Sequence, residues 1–530
     1  MAEEYLYGAE VQGIQDFIYS TNKLKEIVGA SELVEEICTE AFKAQLGKEG
    51  FKEEDVLVMA AGKIRYVFHN KTACEKLVRE FPKKVMEMAP GITFSQSVVP
   101  LTGNYTDVSK ALETRLREQR NQPFRSPTIG YIGVQRSRRT GLPAILSEQV
   151  DGEYLDDASI KKLSVMGQGA NSTTVRILNN KLFGDKNKVG AYDISQLSGE
   201  NSWIAIVHAD GNGLGQVVQK IGDKSEQMKL FSKYLDAATT AAAQKAYTAL
   251  GEQKKEGSKV EPIRPIVLGG DDLTVICRAD IALQFVENFL CEFERCTGKD
   301  GVYKDEFAKG MAGILRENKI FSDRNHLTAC AGIAYIKSSY PFYYGYNLAE
   351  ELCSEAKKES KEISGGMASL PPSSVMFHRV QSSFVESYGK IVEKELTANK
   401  TSLKFGPYYL NMNHVKNFGK TKDGKLDGVI RWSIDELKAN IDKMVGHADQ
   451  RVKSNLRDYL TLLISNPGYA VQRSERIIRQ LEQSGKAELA EFVKGLTDAQ
   501  GDKSFSVRNP LYDMLVLNSV KTNTKINNEK

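Results

Sequence analysis

Residues 266–276 read Ile-Val-Leu-Gly-Gly-Asp-Asp-Leu-Thr-Val-Ile, and this stretch restricts the fold more than any other. Two apolar runs of strand character flank a tight bend. Gly269 and Gly270 supply backbone freedom that a residue with a Cβ resists, and they leave room for a ligand to come close. Asp271 and Asp272 sit at the tip. Successive side chains of a strand point to opposite faces, so one aspartate is expected to face a site while the other turns toward its rim. A carboxylate at an exposed hairpin tip suits a hard cation such as Mg²⁺, and through it a triphosphate. An acidic turn by itself is ordinary, because Gly and Asp are common turn residues. The rest of the chain decides.

Hydrophobic periodicity gives an order of elements on both sides of that hairpin. Residues 5–11 read as a strand, 14–46 as one or two helices, 56–60 and 64–68 as strands about a turn, 73–88 as a helix and 92–99 as a strand. The order is βαββαβ, the ferredoxin-like unit of polymerase palms. The same order recurs over 203–208, 214–250, 263–268, 273–277, 281–296 and 327–336, with a trailing helix at 347–358. Two copies of one unit about 200 residues apart define the architecture. The expected fold class is α+β: two palm domains followed by a helical C-terminal domain. The expected divisions are 1–145 for a first, degenerate palm, 146–198 for a linker and small subdomain, 199–370 for the second palm, and 371–530 for the helical part. When the two hairpins are superposed, residues 59–64 lie over 268–273. Gly62 and Lys63 then stand where Asp271 and Asp272 stand in the second copy. The first copy has lost its acidic pair.

A further carboxylate lies upstream. Residues 203–210 run as an apolar strand ending in Asp210, followed by Gly211, Asn212, Gly213, Leu214 and Gly215. The first strand of a βαββαβ sheet neighbours the hairpin, so Asp210 is expected to approach Asp271. Carboxylates on adjacent strands can hold one or two metal ions for phosphoryl transfer. The glycine-rich turn opens a helix whose backbone N–H groups can cradle phosphate. Asn212 can ligate, orient, or merely cap that helix. Lys357 and Lys358, on the trailing helix, are candidates for phosphate neutralisation. His208 reads as core or as support for the site.

Between the palms, residues 115–139 carry Arg115, Arg117, Arg120, Arg125, Arg136, Arg138 and Arg139 against one acid, Glu118, with Phe124 and Tyr131 interleaved. Guanidinium groups match phosphates bidentately and aromatic rings stack on bases, so this stretch is a candidate RNA contact. The net charge of +4 does not by itself announce a nucleic-acid binder. The seven cysteines show no CxxC spacing, which argues against a zinc ribbon and fits a reducing cytoplasm. No apolar run of membrane-spanning length is present, so no membrane association is expected.

Residues 208–215 together with 269–272 resemble the second palm of the large subunit of type III CRISPR effector complexes, the cyclic-oligoadenylate synthase. Residues 13–19 (Gly-Ile-Gln-Asp-Phe-Ile-Tyr) look like that family's first-palm signature. Residues 329–342 look like its fourth palm strand and following turn, and residues 349–357 like its trailing helix. The resemblance implies catalytic and metal roles for Asp210, Asp271 and Asp272. It implies nucleotide contacts from Gly211, Asn212, Gly213, Leu214, Gly215, Gly269, Gly270 and Lys357. ATP would be the substrate, Mg²⁺ or Mn²⁺ the cofactor, and cyclic oligoadenylates the product. It also implies a ribonucleoprotein of other type III effector subunits, guide RNA and target RNA. The chain departs from the family in places. No histidine is followed by aspartate, so HD-type nuclease activity is not expected. Asn212 stands where relatives often have a further acid. Two other readings stay open here: a non-catalytic nucleotide-binding scaffold of such a complex, and a stand-alone relative making a cyclic dinucleotide or an AMP conjugate.

Overall fold

The computed structural model describes residues 4–60, 62–122, 131–146, 149–150, 152–165, 176–185, 188–198, 202–251, 260–303, 310–321, 324–364, 369–381, 386–398, 401–412, 415, 430–447, 450–497 and 507–521. Phe124, Arg125 and His414 lie outside the described residues.

The first unit is a four-stranded antiparallel sheet ordered Val56–Ala60, Lys63–Phe68, Tyr5–Gln12, Thr93–Pro100. Two helical stretches cover one face: the continuation of Leu24–Glu36, whose Phe42 meets Tyr7, Tyr66 and Phe81, and Lys71–Met88. In the second of these, Cys74, Leu77, Phe81 and Val85 recur every three or four residues and are buried, and the Asn70 side chain caps its start. On the other face, Val108, Leu112 and Leu116 of helix Tyr105–Asn121 pack against Leu6 and Val99. That approach needs a glycine in the central strand: a Cβ on Gly8 would lie 2.7 Å from Leu112 Cδ2.

The second unit repeats the arrangement and extends it. Its six-stranded sheet runs Ile263–Gly269, Asp272–Arg278, Trp203–Gly211, Ala329–Lys337, Ser374–Arg379, Tyr408–Tyr409. The first four strands are antiparallel and stand in the same order as those of the first unit. The sheet does not stop at residue 370. Ser374–Arg379 runs parallel to Ala329–Lys337, so the boundary expected there falls inside a layer. A Ser/Pro run reads as a break, but Leu370, Ser373 and Ser374 are buried. They join the trailing helix, Phe342–Ile363, to a strand beside the one before it, the crossover a parallel pair requires. Beyond it come helices Ile434–His447, Gln450–Ser465, Pro467–Gln483, Ala487–Thr497 and Leu511–Lys521.

Between the palms, helix Asp157–Val165 packs on Leu24–Glu36. Helix Arg176–Phe183 packs on both Ser225–Ala249 and the hairpin strand Ile263–Gly269. The intervening segment therefore wedges the two palms together. Among the described residues no helix is long and apolar enough to cross a membrane.

Candidate active site

Asp210 and Asp272 are direct cross-strand partners, on Trp203–Gly211 and Asp272–Arg278. Asp271 belongs to the two-residue turn between Gly269 and Asp272. Carboxylate oxygens of all three lie within 4.8 Å of one another. This corrects the expectation that Asp271 and Asp272 diverge, while Asp271 does lie close to Asp210. Strand alternation does not govern a turn residue: Gly270 has φ 61°, and the chain reverses there, swinging Asp271 back over the face that Asp272 and Asp210 share. The long helix Ser225–Ala249 holds this bend. The Gly270 N–H donates to Asp236 Oδ1 at 3.1 Å, and Thr239 Oγ1 donates to the Gly270 carbonyl at 2.7 Å.

Burial pushes the Asp271 carboxyl well above the usual range, with the charges of Asp272 and Asp210 adding to it. Asp272 is raised by burial and by Asp210, while Lys357 and Lys63 pull it back in part. Three crowded carboxylates that the protein's own cations do not fully balance suit a hard divalent cation with oxygen ligands, as Mg²⁺ or Mn²⁺ is. Lys357 donates to Asp210 and, at 2.9 Å, to the Gly211 carbonyl. Burial works against its charge, yet Asp210 holds it protonated above its ordinary range. Lys358 points elsewhere, exposed, with Glu355 at 4.0 Å.

The glycine turn divides into distinct parts. Gly211 ends the strand, and a Cβ there would press on Asp271 Cβ at 3.2 Å. Gly213, at φ 74°, starts helix Leu214–Ile221, and Gly215 faces open space. Asn212 neither caps that helix nor turns toward the carboxylates with its amide nitrogen. It is buried, and its Nδ2 donates to Thr328 Oγ1 at 3.1 Å and to Cys330 Sγ at 3.4 Å.

A cavity of about 260 Å³ opens beside Asp210 and Asp272, between the palms. Gln15, Ile18 and Tyr19 line it from the first palm; His208, Thr274, Tyr346 and Glu350 line it from the second. Gln15 Nε2 donates to Tyr346 Oη at 2.9 Å, and the Tyr19 ring stacks on Tyr346 with centroids 4.8 Å apart. His208 is buried beside the cavity: its Nδ1 pairs with Thr274 Oγ1 at 3.1 Å, and burial lowers it to about 4, leaving it neutral. Sequence reasoning gave Tyr346 and Glu350 no role. The signal was present, since Tyr346, Glu350 and Lys357 recur at helical spacing on one face of the trailing helix.

The basic stretch is not uniform. Arg115, Arg117, Arg136 and Arg138 are exposed. Arg120 donates to Glu10 at 2.8 Å, and Arg139 is bound by Glu26 and Glu153. Arg139 is largely covered by its partners, whereas Arg120 stays exposed beside Glu10.

Two palms sharing one acidic face define the chain, with the carboxylates supplied by the second. Residues 203–364 match the family model for the second palm domain of Cas10/Cmr2. The fold agrees over nearly the whole length with chains of the Csm1–Csm4 cassette. The cassette in complex with cA3 gives a TM-score of 0.51 at 14% identity, covering 98% of this chain and 69% of that one. The cassette in complex with one ATP gives 0.50 at 14%, covering 98% and 70%. The Csm1–Csm4 subcomplex of the type III-A CRISPR-Csm interference complex gives 0.50 at 13%, covering 98% and 69%. A comparison with curated protein sequences finds no match. Residues 203–364 are thus similar to the second palm of Cas10/Cmr2, and the chain as a whole shares its fold with chains of the Csm1–Csm4 cassette.

Proposed function

We propose that this protein is a nucleotidyltransferase that joins ATP into cyclic oligoadenylates, serving as the signalling subunit of a type III CRISPR effector. The convergence of Asp210, Asp271 and Asp272 on one face of a Cas10/Cmr2 second palm carries this reading. In the reaction the 3′-oxygen of one nucleotide forms a bond to the α-phosphorus of the next, the bond to the β-phosphate bridge breaks, and pyrophosphate leaves. The 3′-hydroxyl proton passes to solvent or base. Mg²⁺ or Mn²⁺ held by the three carboxylates would supply Lewis-acid charge at the reacting phosphate. Lys357 keeps a protonated ammonium beside Asp210, placed to neutralise phosphate charge. Gly215 leaves a helix N-terminus open to phosphate. Gln15, Tyr19 and Tyr346 set a rigid polar and aromatic wall along the cavity. Assembly with other effector subunits, guide RNA and target RNA belongs to the same proposal. Its protein-subunit part is supported by the similar solved structures, which are Csm1–Csm4 complexes.

The test is mass spectrometry of products after incubation with ATP and Mg²⁺ or Mn²⁺, alone and with the partner subunits and target RNA, with Asp271→Ala alongside. Oligoadenylates from the wild type and none from the variant support the reading. Nucleotide binding without pyrophosphate release under every condition overturns it in favour of a scaffold.

A further inference from the structure

The strand Ile263–Gly269, which leads into the acidic turn, is the edge of its sheet. An edge strand offers a row of outward carbonyls and N–H groups that must be covered or solvated. Here two carbonyls at alternate positions are taken by side chains from outside the second palm. At Ile266 the hairpin register shifts, and its carbonyl accepts from Ser31 Oγ of the first palm. Two residues on, the Leu268 carbonyl accepts from Lys181 Nζ at 3.3 Å. Lys181 stands on the wedge helix Arg176–Phe183, and its ammonium pairs with Glu35 of the first palm at 2.6 Å. The lysine backbone is held as well: Gln244 Nε2, from the long helix, donates to the Lys181 carbonyl at 2.9 Å. Burial works against the Lys181 charge, but Glu35, Asp236 and Glu32 hold it above its ordinary value. Asp236 is the residue that binds the Gly270 N–H. One lysine therefore touches, directly or through its charge, the first palm, the carbonyl two residues before Gly270, and the carboxylate that clips Gly270.

We propose that Lys181 is a positioning residue for the acidic turn, tying the last residues of the edge strand to Glu35 so that Asp271 and Asp272 keep their place over Asp210. The degenerate first palm then holds the catalytic hairpin in register through the Lys181–Glu35 ion pair, beside the Ser31 hydrogen bond to Ile266. This rests on the nucleotidyltransferase reading for its kinetic consequence, and on the geometry alone for its structural one.

The experiment uses the full chain with Lys181→Met, Lys181→Arg and Glu35→Gln, and Asp271→Ala as the control for the reaction. Amide hydrogen exchange is measured without ligand. Lys181→Met is expected to exchange about tenfold faster at residues 268–272, with strand Ala329–Lys337 unchanged and Lys181→Arg close to wild type. Mn²⁺ binding followed calorimetrically weakens in Lys181→Met. Oligoadenylate formation drops about tenfold in kcat, with KM for ATP little altered, as expected when the reacting groups are misplaced while the nucleotide is still held. Unchanged turn exchange and unchanged Mn²⁺ binding in Lys181→Met overturn the proposal. If that variant loosens throughout, Glu35→Gln decides, because it keeps the lysine: an unaltered turn there overturns it equally. Absence of product from the wild type speaks against the function, while the exchange and Mn²⁺ readouts still decide the role of Lys181.

Discussion

Lys63 in the first palm and Asp272 in the second occupy one position in two copies of a hairpin. Each opens the second strand of its hairpin, Lys63 pairing with Ala60 and Asp272 with Gly269. The two also act on each other through charge, since Lys63 helps pull Asp272 down. A position that is acidic in one copy has become a cation serving the other.

That relation is open to a charge test. Lys63→Glu should cut oligoadenylate formation about tenfold, because it sets a further negative charge near a crowded acidic site. Lys63→Arg should retain activity. Lys63 is exposed, so raising the salt concentration should narrow the gap between wild type and Lys63→Glu. Equal rates at low salt would show that the charge is idle.

Gly213 carries a backbone requirement and a packing requirement together. Its φ is 74°, and an added Cβ would lie 2.6 Å from Phe321 Cζ. Gly213→Ala should cost about 1–2 kcal/mol of stability, read as a lower midpoint in thermal unfolding. Gly215→Ala, at an open position, should leave that midpoint unchanged.

Asp513 gives a pH signature remote from the site. It is buried, accepts from Tyr408 Oη at 2.7 Å, and burial raises its carboxyl to about 7 despite that hydrogen bond. A carboxyl whose folded value exceeds its unfolded one, about 3.9, contributes stability that is complete below the unfolded value. That contribution drains away as pH rises toward 7. Thermal midpoints should therefore decline from about pH 4 to pH 7 through this group, and Asp513→Asn should flatten the decline. An unaltered profile in the variant would assign the slope to other groups.

The arginines between the palms should separate into two kinds. Arg139→Ala leaves Glu26, whose side chain is fully buried, without its guanidinium, and should cost about 3–5 kcal/mol. Arg117→Ser, Arg136→Ser and Arg138→Ser should leave the unfolding midpoint in place. Each should lower the salt dependence of RNA binding by about one counterion. A filter-binding series against salt concentration measures this, and an unchanged slope in the triple variant would remove these residues from the RNA contact.

What the sequence disclosed follows from where local rules held. The strand before Asp210, the hairpin and the doubled βαββαβ order are legible because each is a run of regular periodicity. The expected divergence of Asp271 from Asp272 fails because strand alternation has no force in a turn. Strand Ser374–Arg379 was hidden behind a Ser/Pro run whose burial only the tertiary structure supplies. Lys181 left no trace, since an isolated lysine on a short helix acquires meaning only when Glu35 and Leu268, far apart in the chain, meet it. Asn212 reads from the sequence as a ligand, an orienting group or a cap, and only the fold shows its amide nitrogen bonded to Thr328 and Cys330.

The crowding of Asp210, Asp271 and Asp272 yields a last prediction with opposite signs in two conditions. Without divalent cation, Asp271→Asn removes one of three converging carboxylates from a buried place and should raise the unfolding midpoint above that of the wild type. With Mn²⁺ added, the wild type should gain stability by mass action, about 2.7 kcal/mol at a concentration one hundred times the dissociation constant. The variant should gain much less, having one ligand fewer, so the order of the two midpoints should invert as Mn²⁺ is titrated in. Calcium, which accepts larger and looser oxygen shells, offers a comparison at the same charge. A crossing seen with Mn²⁺ and Mg²⁺ would tie the carboxylates to a cation site independently of any product assay. Parallel curves for wild type and variant would mean that the three acids crowd together without binding a metal, and the phosphoryl-transfer reading would lose its chemical basis.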